Sequence, residues 1–253
     1  MSLRVALLLV VFSLLAGCVT TGKVNPMTTG KGRDEARKAF VQLGIGYLQE
    51  GQTERAKVPL RSALELDASD PDANAALALV FQSEGESELA EQSFRKAIAK
   101  SDGDARILNN YGSFLYEEKR YSDAYAMFQK AAGDPLYPER SRVFENIGLT
   151  ALALGKRAEA EESLTKALRL NPDQPRALLE LAEISYDTQQ YVPARGYYER
   201  FTQLSEQNAR SLLLGMRLAK IFDDKDKAAS FALQLRRLYP GTPEYQQYLS
   251  EQR

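Results

Sequence analysis

The chain has 253 residues, enough for a large core, and its 33 Lys and Arg nearly cancel 34 Asp and Glu, so it carries neither a basic field for nucleic acid nor an acidic tail. It contains no His, no Trp and a single Cys, Cys18, which excludes an intramolecular disulfide and any Cys/His set for zinc, haem or an iron–sulfur cluster. A hydrophobic content of 44% argues for a folded chain, and no cofactor, metal or small-molecule substrate is expected.

Arg4 is the only charge before Cys18, and Val5 to Leu15 is apolar except for Ser13. Such a run is too short for a membrane-spanning helix of about 20 residues but fits the apolar region of an export signal, about 7–15 residues. Leu15-Ala16-Gly17-Cys18 resembles the lipobox read by lipoprotein signal peptidase. The small residues suit a narrow cleavage site, and a thiolate is the nucleophile that takes the diacylglycerol. Residues 1–17 are therefore expected to be removed and Cys18 lipidated; the alternative is an ordinary signal with an incidental Cys. The resemblance further implies that Val19-Thr20, with no Asp after Cys18, directs the protein to the outer membrane, facing the periplasm. Each buried acyl methylene would hold it there with about 0.8 kcal/mol. Residues 18–34 read as a tether rich in Gly and Thr, reaching at most about 55 Å and averaging roughly 20–25 Å.

Beyond residue 35 the chain repeats itself. Ala recurs at Ala56, Ala90, Ala124, Ala160, Ala194 and Ala228, with spacings of 34, 34, 36, 34 and 34. Twelve residues before each stands Gly44, Ala78, Gly112, Gly148, Ala182 or Met216, and four after stands Leu60, Phe94, Phe128, Leu164, Tyr198 or Ala232. Within each half of a unit the apolar residues fall at helical spacing. Gly51, Gly85 and Gly155 mark short bends, and Pro71, Pro138, Pro172 and Pro240 lie at or near the junctions between units. Each unit is a helix hairpin that cannot bury both faces alone, so the units must stack into a solenoid.

This period and pattern resemble the tetratricopeptide repeat. The predicted fold is all-α, a right-handed superhelical solenoid of six hairpins over residues 37–70, 71–104, 105–140, 141–174, 175–208 and 209–242, with a capping helix at 243–253; the domain as a whole is read as 35–253. Pro59 should kink the second helix of the first repeat or force a late start. The insertion within Gly133 to Pro138 should bend the array, and the sixth repeat, with Ala232 for the plug residue, should be a degenerate end unit.

No residues support an enzyme. Acid–base work without His would need carboxylates, Lys or Tyr, and the acid pairs Glu117-Glu118, Glu161-Glu162 and Asp223-Asp224 read as solvated faces or turns. No nucleophile elbow or dinucleotide fingerprint is present. Binding is expected instead in a concave groove lined by the first helix of each repeat. Its positions include Lys38, Val41, Ile45 and Leu48, then Ala75, Leu79 and Gln82, then Asn109, Ser113 and Tyr116. The later repeats contribute Arg142, Glu145, Leu149, Leu152, Arg176, Leu179, Glu183, Tyr186, Arg210, Leu213, Arg217 and Lys220. The apolar start of this groove suits a hydrophobic segment of another protein. The alternative is that these residues face the neighbouring helix.

The Leu-Ala-Gly-Cys start, the short tether into six repeats, and the third repeat from Leu108-Asn109-Asn110-Tyr111-Gly112 to Phe128-Gln129-Lys130-Ala131 together resemble the type IV pilus biogenesis lipoproteins, the pilotins of the pilus secretin. That resemblance implies an adaptor that binds secretin subunits and promotes their outer-membrane localisation and multimerisation. The alternative is another outer-membrane repeat lipoprotein scaffolding a cell-wall synthase or envelope complex.

Overall fold

In a computed structural model, residues 28–252 are described; the signal segment, the lipobox with Cys18 and most of the predicted tether lie outside them. Thirteen helices and no strand occur among the described residues. They are α1 (Gly30–Gln49), α2 (Thr53–Leu66), α3 (Pro71–Ser83), α4 (Ser87–Lys100), α5 (Ala105–Glu117), α6 (Tyr121–Ala132), α7 (Arg140–Ala153), α8 (Arg157–Leu170), α9 (Pro175–Asp187), α10 (Tyr191–Leu204), α11 (Ala209–Ile221), α12 (Lys225–Leu238) and α13 (Pro243–Ser250). Consecutive pairs form the predicted hairpins. The first unit, up to Lys100, holds two of them; the second, from Ser101, holds four and α13. Within each unit the hairpins stack on their neighbours in sequence order.

Helix starts follow from capping chemistry. Asp70 accepts from the Ala73 N–H at 2.6 Å, and Asp104 from those of Arg106 and Ile107 at 2.8 and 3.2 Å. Asn208 and Ser211 form a reciprocal capping box, and Pro71, Pro175 and Pro243 open their helices where a missing N–H costs nothing. The bends inside the hairpins share one left-handed residue: Gly51, Gly85, Lys119, Gly155, Gln189 and Asp223, with φ between 57° and 77°. Three of the six are not glycine, so periodicity rather than composition marks this column.

The hairpins close on a small-against-large contact. A Cβ added to Gly44 would come within 2.5 Å of Leu60, one on Gly148 within 2.5 Å of Leu164, and one on Gly112 within 2.6 Å of the Phe128 ring. The recurrent Ala56, Ala90, Ala124, Ala160 and Ala194 are fully buried beside these plugs. The sixth repeat inverts the arrangement. Met216 fills the small position, while the preceding Gly215 makes room for the Tyr198 ring of the fifth repeat. Tyr245 and Tyr248 of α13 then cover the last core cluster, around Leu212, Leu213, Met216 and Leu235.

Two expectations are corrected. The first helix starts at Gly30 rather than after Asp34, because Thr29 caps it by accepting from the Gly32 N–H at 3.0 Å. And of the two outcomes expected at Pro59 the late start does not occur, because α2 runs through it from Thr53 to Leu66. Pro59 is buried in α2, so it contributes apolar burial against the backbone hydrogen bond that a proline removes.

Filling one plug socket tests this packing. Gly148→Ala should lower unfolding free energy by about 1–3 kcal/mol in a urea titration, whereas Gly46→Ala, with nothing within 4 Å of the new Cβ, should stabilise by up to about 1 kcal/mol.

Candidate protein-binding site

In the first unit the predicted groove residues divide. Lys38 is exposed, and Ile45, Leu48, Leu79 and Gln82 are half-buried. Val41 and Ala75 are corrected to core. Val41 packs with Ala63 and Ala73 where α1 leans on α3, and Ala75 is almost wholly covered. Ile45 and Leu48 in turn flank a cluster of Ala56, Leu60, Ala76 and Val80, so they serve packing as well as surface.

A more open apolar surface lies elsewhere on the first hairpin. Phe40, Leu43, Tyr47, Val58 and Pro59 line a cleft of about 320 Å³ rimmed by Arg55, with Leu43 49% and Val58 68% exposed. Its origin is positional. Leu43 occupies the repeat position that Ile147 and Leu181 occupy in the fourth and fifth repeats, where a preceding hairpin buries them. In the first repeat no described hairpin precedes α1, so a residue with a core identity stands in water. Arg55 stacks on Tyr47 at 4.3 Å and donates to its hydroxyl at 3.0 Å, fixing one wall. Sequence reading placed Leu43 in the repeat pattern but overlooked its wet position; the signal was its place in the first repeat.

The second unit has a different character. Asn109 is buried and accepts from Asn146 Nδ2 at 3.1 Å, while Ser113 donates to the Asn109 carbonyl at 3.1 Å. Tyr116 is half-buried against the edge of Tyr121, and burial pushes its hydroxyl pKa up. Further along, Arg210 forks onto Glu180 at 2.8 and 2.6 Å and also bonds Glu183. These bonds hold its guanidinium above its ordinary range. Burial pushes Glu183 and Glu145 upward. Glu145 also accepts from the Ala177 N–H at 3.1 Å, capping the helix of the next repeat. Of the acid pairs, Asp224 caps α12 by accepting from the Lys227 N–H. Among the described residues no three His, Cys, Asp or Glu converge on a metal position, and no helix is long and apolar enough to cross a membrane.

Comparison with known proteins places these surfaces in context. The sequence matches the tetratricopeptide repeat over residues 41–105, 76–139 and 146–209. It is 58% identical over 251 residues to the type IV pilus assembly protein PilF of Pseudomonas aeruginosa, covering 99% of this chain and all of PilF. The solved structure of that PilF superposes with a TM-score of 0.85 at 60% identity, over 87% of this chain and all of the other. PilW, described as a widely conserved type IV pilus biogenesis factor, superposes with a TM-score of 0.72 at 28% identity, over 85% of this chain and 99% of PilW.

The buried Glu145 makes stability pH-dependent. Its folded pKa is raised above the ordinary 4.5, so the folded state holds its proton more tightly, and this carboxyl erodes stability as pH rises through the carboxylate range. Glu145→Gln keeps an acceptor for the Ala177 N–H without the charge. In urea unfolding the variant should gain on the parent between pH 4 and pH 7, whereas a constant difference would contradict the assignment.

Proposed function

We propose that this chain, which belongs to the tetratricopeptide-repeat family and within it to the PilF family of type IV pilus proteins, is a lipid-anchored outer-membrane adaptor that binds secretin subunits and promotes their localisation and multimerisation. The observation that carries the reading is the uncovered end of the first hairpin. Leu43 and Val58 there forgo part of the about 1.5–3 kcal/mol that full burial of each would contribute, and an apolar surface of this kind marks an interaction site. The half-buried Ile45, Leu48 and Leu79 continue the apolar character along α1 and α3. Support for the pilus context comes from near full-length identity to PilF. Support for the anchor comes from Leu15-Ala16-Gly17-Cys18. A lipid supplies the membrane, the apolar face supplies the client, and no chemical step is required of the protein.

Two outcomes are expected. Leu43→Asp combined with Val58→Asp should leave helical circular dichroism unchanged, since both side chains are largely exposed. It should abolish co-purification of secretin and the formation of secretin multimers. Undiminished secretin capture by this folded double variant would refute the face; capture of a cell-wall synthase in place of secretin would keep the adaptor and discard the pilus role. Separately, Cys18→Ser should release the protein from the outer-membrane fraction, and normal fractionation would refute the anchor.

A further inference from the structure

Two departures from the repeat meet at one place in the second unit. The first is a loop. Seven residues, 133–139, join α6 to α7, against four at every other junction between hairpins. The loop is held in shape by its own bonds: Asp134 accepts from the Leu136 N–H at 2.9 Å, and the Tyr137 carbonyl accepts from the Arg140 N–H at 3.1 Å. It sets Pro135, Tyr137 and Pro138 across from the junction between α8 and α9, and a cleft of about 610 Å³ lies between them. That volume falls among those of small-molecule sites.

The second departure is Gln174. In register with it, Asp70, Asp104 and Asn208 are short acceptors that cap the helix that follows. Gln174 is longer and caps nothing; Glu145 of the preceding hairpin takes the Ala177 N–H instead. Its amide is thereby released from local duty. Gln174 lines the cleft and is only 7% exposed, yet neither its Nε2 nor its Oε1 has a hydrogen-bond partner. A buried amide without partners is unfavourable. A molecule seated in the cleft supplies both partners once this side chain turns toward it.

The walls say what kind of molecule fits. Glu139, Glu145 and Asp173 stand against Arg140, Arg142 and Arg176, so no net charge selects an anion or a cation. A neutral ligand suits this balance, and one whose polar groups both donate and accept, as hydroxyls do. Two neighbouring hydroxyls match a primary amide, one accepting from Nε2 and the other donating to Oε1. Tyr137 is half-buried in the wall, and burial pushes its hydroxyl pKa up, which keeps it a protonated donor. Its ring also offers a flat apolar surface of the kind that packs the C–H face of a sugar. We propose that this cleft binds a neutral oligosaccharide, with a pyranose ring packed on Tyr137 and two adjacent hydroxyls bonded to the Gln174 amide. The site lies wholly in the second unit and does not depend on the apolar face of the first hairpin.

The test titrates cellotriose and maltotriose, neutral glucose trimers that differ in linkage, into the purified full chain in a sugar-free detergent. Saturation-transfer difference NMR follows the sugars. At least one should bind with a Kd of about 1 mM or tighter. Gln174→Leu should weaken that binding about tenfold or more without lowering the urea midpoint, because leucine fills similar space and removes two unpaired buried polar atoms. Tyr137→Ala, in the loop, should weaken it similarly and reports even where Gln174→Leu fails to fold. Lys130→Ala, on the exposed face of α6, should change nothing. Binding of neither sugar at about 10 mM, or unchanged affinity in Tyr137→Ala or in a folded Gln174→Leu, would overturn the proposal. Displacement of the bound sugar by an equal concentration of tetra-alanine would overturn it too, making the cleft a peptide site.

Discussion

Everything in this protein depends on how closely two helices of one hairpin can approach. Where Gly44, Gly112 or Gly148 stands, the facing Leu60, Phe128 or Leu164 lies inside the volume that a methyl group would occupy. The hairpin is therefore a socket and plug whose specificity is steric, set by what is missing from one helix as much as by what the other presents. Because each plug is also buried, this contact contributes apolar area and fixes the crossing together. Stacking then follows from the faces that a single hairpin leaves uncovered.

Repetition explains why so much was readable beforehand. A period of 34 residues repeats each positional requirement several times, so an accidental Gly or Ala is outvoted. Hairpin order, the bends and the plug column are all where the spacing places them. What repetition hides is the ends and the exceptions. Leu43 has the same sequence role as Ile147 and Leu181 but a different environment, because burial is a property of the neighbour and not of the residue. Val41 and Ala75 show the reverse. They fall on groove positions by count, yet the lean of α1 on α3 covers Val41, and Ala75 is almost wholly buried.

Capping was legible only in part for a related reason. Asp70, Asp104 and Asn208 cap their own helices, a local act that sequence displays directly. The cap of α9 comes from Glu145, separated from Ala177 by 32 residues, and nothing local announces it. The same non-locality leaves Gln174 without a local role. The expected groove likewise appears in sequence as a list of positions, whereas its polarity in the second unit emerges only once Asn109, Asn146 and the Arg210–Glu180–Glu183 cluster are seen together.

The Tyr198 ring, packed against Gly215 and Phe231, has a consequence for how the array comes apart. Its hydroxyl accepts from Gln207 Nε2 at 2.8 Å, and the carbonyl of Gln207 accepts from Tyr239 at 3.1 Å. The fifth repeat, the linker and the sixth repeat thus share one chain of contacts. In a nearest-neighbour description of a linear array, a terminal repeat frays when its intrinsic stability is low and its single interface is weak. Here the degenerate sixth repeat lends its interface to a plug belonging to the fifth. Opening the C-terminal end of the array therefore uncovers the Tyr198 ring of the fifth repeat and breaks the bridge through Gln207.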